Sequence, residues 1–388
     1  MKWNRNVAIV GVGRTRATSK RNDVNQYEMV NEAVTEALQH AGLSIKDIDF
    51  NLIGDMELFQ GDYSSDLWQV DGFGGRLKPG YRMTTGGCTG AMLCCSATYL
   101  VASGQHDIVM AIGFQKHDEG NATTGLSSVE EPMWAGWFGA GVGGGFAVRF
   151  FEKYGKDIEL TAAQLRVQAG DNAAANPYAH LRNRVTIEEV MNSPMLSFPS
   201  RLLHLCPQSS AASCIIFASE DRAKKITDKP VWVKDFVTVH REQCGPDARF
   251  GEMFGPHSCF AACAERLYHR NNIKNPIEEL DIYEMYNASV WFTFGLMEDT
   301  LRIPEGKFRD MIASGETARD GKFPISPSGG VLTSNPIGAS AMLRVAEAAL
   351  QIRGECGDYQ VSKPVKNAIA SGFGGSGWYV MHLLSKDK

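Results

Sequence analysis

Apolar residues along this chain follow two rhythms. Short unbroken apolar runs, ended by glycine or a polar cluster, alternate with longer stretches in which apolar residues recur three and four positions apart. The runs at 7–12 (VAIVGV), 49–54 (DFNLIG) and 107–113 (DIVMAIG) predict buried strands. Between the first two, 26–40 sets Met29, Val30, Ala33, Val34, Ala37 and Leu38 on one side of a helix that Ala41-Gly42 stops. Residues 92–102 are apolar almost all round, which predicts a helix buried on most sides and ended by Gly104. Strand, helix, strand, helix, strand with short links predicts an α/β fold, a parallel or mixed sheet covered by helices.

The order then repeats. Residues 231–239 predict a strand and 259–270 a helix, followed by Glu279-Leu280-Asp281-Ile282-Tyr283. Pro336-Ile337-Gly338-Ala339-Ser340 opens a helix over 341–352, ended by Gly354, and 367–370 is the next strand. Aligning the two buried helices sets Met92-Leu93 opposite Met342-Leu343, Cys88 opposite Gly338 and Thr85 opposite Asn335. Shared order over five elements implies an internal duplication, with halves at 1–225 and 228–388. Residues 118–220 read as an insertion in the first half, long enough to cap a site between the halves. It holds Trp134, Trp137, Phe138 and the glycine run 139–145, which lacks the Lys-Ser/Thr of a phosphate loop and reads as a tight turn or close helix contact.

Composition narrows the classes. The 388 residues are 44% hydrophobic and 21% charged, with a formal net charge of -5 and no basic run, so nucleic-acid binding lacks electrostatic support. No apolar stretch approaches the roughly 18 residues that span a bilayer. Residues 1–6 lead into a strand and not a signal sequence, which gives a cytoplasmic expectation and no membrane partner. The nine cysteines show no disulfide framework. Cys94-Cys95 sit on the buried helix, and Cys259 and Cys263 are one helical turn apart with no second pair to complete a zinc site, so they read as small buried hydrophobes and no metal is expected.

Cys88 differs. In Thr84-Thr85-Gly86-Gly87-Cys88-Thr89-Gly90 one thiol stands between glycines where the chain turns into a helix. Helix-terminal N–H groups and the dipole's positive end lower a thiol's pKa there. Three other segments are expected at the same end of the sheet: Asn335-Pro336, Glu284-Met285-Tyr286-Asn287-Ala288, and the glycine-rich Ser371-Gly372-Phe373-Gly374-Gly375-Ser376-Gly377, read as a turn between the last strands.

With VAIVGVGRT, AGLSIKDID, SGQHDIVMAIG, the stretch NPYAHLRNRVTIEEVMNSPMLSFPSRLLHLCPQSSAA and GFGGSGWYVMHLL, nearly the whole chain resembles the thiolase superfamily. Asn176-Pro177 and Thr186-Ile187-Glu188-Glu189 resemble its sterol-carrier-protein-x branch. The resemblance implies a duplicated five-layer αβαβα fold, a homodimer core, and an acyl-CoA substrate with free coenzyme A as co-substrate and nothing bound covalently. It also implies a small zinc-ribbon/OB-fold partner subunit, giving a heterotetramer.

The family pattern is a nucleophilic Cys in Cys-x-x-Gly, a His in Gly-His-Pro, an Asn-Glu-Ala-Phe or His-Asp-Ala-Phe segment, and a second Cys or His before the last glycine turn. This chain departs from each. Counting back from Gly90 gives Gly87, so Cys88 stands one residue late. The other places hold Ser334-Asn335-Pro336, Tyr286-Asn287-Ala288-Ser289 and Ser371. Asn335 can donate a hydrogen bond but not shuttle a proton; Tyr286 can do both; Ser371 donates weakly. His257, in Gly255-Pro256-His257-Ser258-Cys259, matches a family loop and reads either as a replacement base or as a plain helix-start histidine.

Three functions remain in view. One is CoA-dependent thiolysis of a bulky β-keto acyl-CoA through Cys88. It is similar to the family member of anaerobic toluene breakdown that converts 2-benzoylsuccinyl-CoA to benzoyl-CoA and succinyl-CoA. The second is a retro-aldol lyase acting on a β-hydroxy acyl-CoA through Tyr286, as in steroid side-chain retro-aldolases, with Cys88 a packing residue. The third, a non-catalytic CoA-binding scaffold, fits less well, because Tyr286, Asn287, Asn335 and Ser371 are all hydrogen-bonding groups.

Overall fold

The computed structural model describes residues 4–61, 63–120, 144–241, 254–374 and 377–388. Trp134, Trp137, Phe138 and the first five positions of the glycine run lie outside them. Eleven strands carry the architecture: β1 (Val7–Arg14), β2 (Phe50–Gly54), β3 (Gly80–Arg82), β4 (Ile108–Gln115), β5 (Met195–Ser197), β6 (Ser200–Arg201), β7 (Ala211–Ser219), β8 (Val231–His240), β9 (Ile282–Glu284), β10 (Asn367–Gly374) and β11 (Trp378–Ser385). β5 and β6 form a separate small pair. The other nine form one mixed sheet in the order β3-β2-β4-β7-β1-β8-β11-β10-β9.

The order is the same outward in both directions from the β1–β8 seam. Each side runs antiparallel, antiparallel, then parallel: β1-β7-β4-β2 and β8-β11-β10-β9. The seam itself pairs only Ala8 with Trp232 and Ile9 with Val231.

Helices α1 (Gln26–Ala41), α2 (Thr89–Ala102), α4 (Cys259–Arg270), α5 (Val290–Leu301) and α6 (Ile337–Arg353) pack around the sheet, and α3 (Ile158–Ala174) packs on α5. Local chemistry sets their ends. Asn25 and Glu28 form a reciprocal capping box at α1, which Gly42 closes at φ 64°; Ser258 and Ser289 cap α4 and α5.

Strand alternation divides the interior into three cores. In β1, Val7 and Ile9 face one core while Ala8 and Val10 face another. In β11, Val380 and Leu384 face the first while Tyr379, Met381 and Leu383 face a third. The shared core holds α2 and α6 between the two halves of the sheet; α1 covers one outer face, and α4 and α5 the other. The result is helix, sheet, helix, sheet, helix, as the resemblance implies. α2 and α6 meet closely: a Cβ on Gly90 would stand 2.5 Å from the Met342 nitrogen.

Two buried charge networks anchor α6. Arg14 of β1 meets Glu347 at 2.7 Å and the Tyr359 hydroxyl at 2.6 Å. Arg344 meets Glu284 at 2.5 Å, and Ser328 donates to the same carboxylate from its amide and hydroxyl. Removing one partner of such a pair costs about 3–5 kcal/mol.

Two boundaries differ from the sequence reading. Residues 211–219 close the segment read as an insertion, yet they are β7, a strand between β4 and β1. Ser371 to Gly374 were expected in a turn but extend β10, paired with Trp378 to Met381. Glycine suits that strand because a Cβ on Gly372 would lie 2.9 Å from the Cβ atoms of both Ala91 and Ala341.

Candidate active site

The loop before α2 turns at Gly86, whose φ is 63°. Thr89 fastens it, donating from its hydroxyl to the Gly86 carbonyl at 2.7 Å and accepting from the Thr85 amide at 2.9 Å. Gly87 faces the junction. A Cβ there would collide with the Phe373 carbonyl oxygen and stand 2.9 Å from the Tyr286 hydroxyl.

Cys88 is the N-cap residue of α2 and is fully buried. Its Sγ donates to the Trp378 carbonyl at 3.3 Å. The expected acidic thiol is not found: burial pushes its pKa well above the ordinary thiol value, and Cys263 and Cys259 push the same way. Desolvation outweighs the helix end here.

Tyr286 follows β9, whose last residue is the ion-paired Glu284. Its amide donates to Ser371 Oγ at 3.0 Å, and its ring is 3% exposed. Among the described residues nothing hydrogen-bonds its hydroxyl. Burial raises its pKa, and the charges that Cys206 and Cys88 would carry add to the rise, so the phenol stays protonated as a hydrogen-bond donor.

Asn335 precedes α6. Its Oδ1 accepts from Ser340 Oγ at 2.7 Å, and its Nδ2 donates to Cys206 Sγ at 3.2 Å. Its backbone amide donates to Ser209 Oγ at 3.0 Å, and that hydroxyl also meets His180 Nδ1 at 2.9 Å. The carboxamide is therefore held in one orientation with a thiol in front of it.

Two residues join this cluster that the sequence reading did not single out. Cys206, half-buried, has its thiol pKa pushed up to about 11 by burial, with the Asn335 amide pulling it back. His117, just beyond β4, is buried, and among the described residues neither ring nitrogen has a hydrogen-bond partner. Burial lowers its pKa to about 4 against the pull of the nearby Asn335 backbone, which leaves it a neutral imidazole. A thiol before Pro207 was the one available sequence signal; nothing local marks His117.

The remaining predicted residues play other parts. Asn287 Oδ1 accepts from the Val331 amide at 2.7 Å and so holds the 328–334 loop. Ser371 is fully buried, and its Oγ accepts from the Tyr286 amide. His257 is exposed ahead of α4, and no described contact joins it to Tyr286 or Asn335. Cys88, Tyr286, Asn335 and Ser371 come together; His257 does not join them.

Residues 258–385 match a family model described as thiolase C-terminal domain-like. The acetyl-CoA acetyltransferase of Methanothermobacter thermautotrophicus is 29% identical, covering 98% of this chain and 100% of that protein. The chain is thus similar over nearly its whole length to proteins of the thiolase superfamily. Benzoylsuccinyl-CoA thiolase subunit BbsB of Thauera aromatica is 28% identical, covering 97% of this chain and 96% of that one. The solved structure of an Ltp2-ChsH2(DUF35) aldolase superposes with a TM-score of 0.79 at 21% identity, covering 99% of this chain and 98% of that one. Against the superfamily's Cys-x-x-Gly pattern, Gly87 stands at the nucleophile's position, and a side chain there would meet the Phe373 carbonyl first and the Tyr286 hydroxyl next.

Proposed function

We propose that this protein is a thiolase-type acyltransferase that cleaves a bulky β-keto acyl-CoA with coenzyme A. The substrate is 2-benzoylsuccinyl-CoA-like, and the products are benzoyl-CoA and succinyl-CoA. The observation that carries this reading is the unpartnered Tyr286 hydroxyl, enclosed at the junction of α2 and α6 with the Cys88 and Cys206 thiols beside it. The full-length relationship to BbsB supports the substrate class.

Thiolysis needs a thiolate, an oxyanion partner and a proton path. The thiolate of Cys88 attacks the keto carbonyl. The bond to the α-carbon breaks, and the departing thioester enolate takes a proton at that carbon. Coenzyme A then attacks the acyl-cysteine, releasing a second acyl-CoA and restoring the thiol. Tyr286 and Asn335 supply the hydrogen bonds to developing oxyanions, Asn287 and Ser371 hold them in place, and the neutral His117 takes the basic role for which His257 is misplaced. A homodimer core and a small zinc-ribbon/OB-fold partner complete the assembly in this reading, in keeping with the DUF35 component named for the structural neighbour.

One observation favours a second reading. The Tyr286 hydroxyl stands beside the slot held by Gly87, and Cys88 is turned to Trp378. A retro-aldol lyase acting on a β-hydroxy acyl-CoA needs that phenol and no acyl-accepting thiol. Mass spectrometry of the enzyme quenched during turnover separates the two. An acyl adduct on Cys88, lost in Cys88→Ser, is the thiolase outcome. Full turnover by Cys88→Ser without coenzyme A would replace that reading with the lyase.

A further inference from the structure

A cavity of about 580 Å³ opens beside the candidate site where α3 faces the 180–185 loop. Arg16, Arg166, His180, Arg182 and Asn183 supply its polar lining, and Leu203 and Val185 are among its apolar walls. None of the lining residues is acidic.

Arg166 is the unusual member. It projects from α3, is 2% exposed, and has Nε and one terminal nitrogen buried without a hydrogen-bond partner among the described residues. A buried guanidinium is ordinarily paired, because its desolvation is otherwise uncompensated. Burial alone acts on this one, lowering its pKa. The neighbouring acids are engaged elsewhere: Glu159 faces Arg201 at 3.6 Å, and Asp171 faces Arg184 at 3.3 Å. Arg16 and Arg182 add two exposed cations at the mouth.

The cavity is tied to the candidate site. His180 hydrogen-bonds Ser209, which accepts from the Asn335 amide, and the neighbouring Leu181 amide donates to the Thr333 carbonyl at 3.0 Å. A group held by Arg166 is thus separated from the Asn335 backbone by His180 and Ser209. The phosphates of coenzyme A sit at the far end of the pantetheine arm from the thioester, whereas a second carboxylate on the acyl chain lies only a few bonds from it.

We propose that this cavity binds a free carboxylate on the acyl group, with Arg166 as its bidentate partner and Arg182 and Arg16 steering it in, so that the enzyme selects dicarboxylic acyl-CoA thioesters. The proposal rests on the acyl-CoA reading above.

Calorimetric titration with glutaryl-CoA and pentanoyl-CoA tests it without turnover, since the two differ only in the terminal carboxylate. The wild type is expected to prefer glutaryl-CoA by about tenfold or more. Arg166→Gln should erase the preference, and the surface substitution Arg182→Ala, which leaves the fold alone, should reduce it. Equal binding of the two thioesters, or equal weakening of both in Arg166→Gln, would overturn the proposal; the latter would assign the cavity to a phosphate. A parallel thermal-shift series with free glutarate keeps the two readings apart. Stabilisation by glutarate that vanishes in Arg166→Gln, with neither thioester bound, upholds the cavity and removes the acyl-CoA reading. No response to any of the three ligands removes both.

Discussion

The N-termini of α2 and α6 are the same structural device used in two ways. Each opens on glycine at the centre of the molecule, and each glycine is forced by a close neighbour: Gly90 by Met342, and Gly338 by the Phe114 carbonyl. Yet the side chains ahead of them differ. Cys88 is turned into the core, bonded to a carbonyl and pushed away from ionisation. Asn335 is half-buried, its carboxamide fixed by Ser340 and aimed at Cys206. A shared backbone frame therefore leaves the chemistry to be set by what packs against each end. At α2 that neighbour is Tyr286, whose hydroxyl stands beside the space Gly87 leaves open.

The comparison breaks most severely if that space is filled. Gly87→Cys restores a side chain to the slot but drives it into the Phe373 carbonyl, and we expect a loss of about 3 kcal/mol or more of stability in thermal or urea unfolding, with no gain in activity. Tyr286→Phe leaves the space and removes only the donor. It should lower kcat by about 10²–10³-fold, measured as product formation from the acyl-CoA, while unfolding changes by less than about 1 kcal/mol.

Acid sharpens the contrast, because a buried neutral histidine lies against each of the two helices or the segment ahead of it. His117 lies by Asn335, and His382 meets Cys95 of α2 at 3.4 Å. Their pKa values are lowered from 6.5 to about 4 and about 3 by burial. An unfolded chain binds these protons first, so the stabilisation is complete above pH 6.5 and is lost as pH falls towards 4 and 3. At most His117 accounts for roughly 3 kcal/mol and His382 for roughly 5 kcal/mol. Unfolding followed from pH 7 to 4 should flatten for His117→Asn, while His382→Asn should flatten the part that continues below pH 4. The smallest effect is expected at Asn335→Ala. Without the amide that pulls its pKa down, Cys206 should alkylate more slowly, by about tenfold or less, in a timed iodoacetamide assay read by mass spectrometry.

What the sequence made legible follows from the range of the interactions involved. Alternation in β1 and β4 and the all-round apolar character of α2 report burial directly, so the layers and the repeated order could be read. β7 was missed as a strand of the main sheet because a long connection precedes it and hides its partners. Ser371 to Gly374 were misread because glycine signals a turn unless the neighbouring helices, here through Ala91 and Ala341, are known to press close. In the site, Tyr286 and Asn335 stood at positions marked by motif. The aim of Cys88 did not, since one residue of offset at a helix end turns a side chain by about 100°. Cys206 and His117 belong to the cluster only through tertiary proximity to Asn335, which leaves no trace in their own surroundings.

The Arg14 network carries a consequence for how the chain comes to be folded. Arg14 lies in the first strand, but its acid, Glu347, is 333 residues away, and Tyr359 is 345 away. During synthesis the first half emerges carrying a cation destined for the interior and lacking its acceptor until nearly the whole polypeptide has been made. The amino-terminal half therefore waits, incompletely closed, for the carboxyl-terminal one. That places this protein among slow, high-contact-order folders with an exposure window for chaperones.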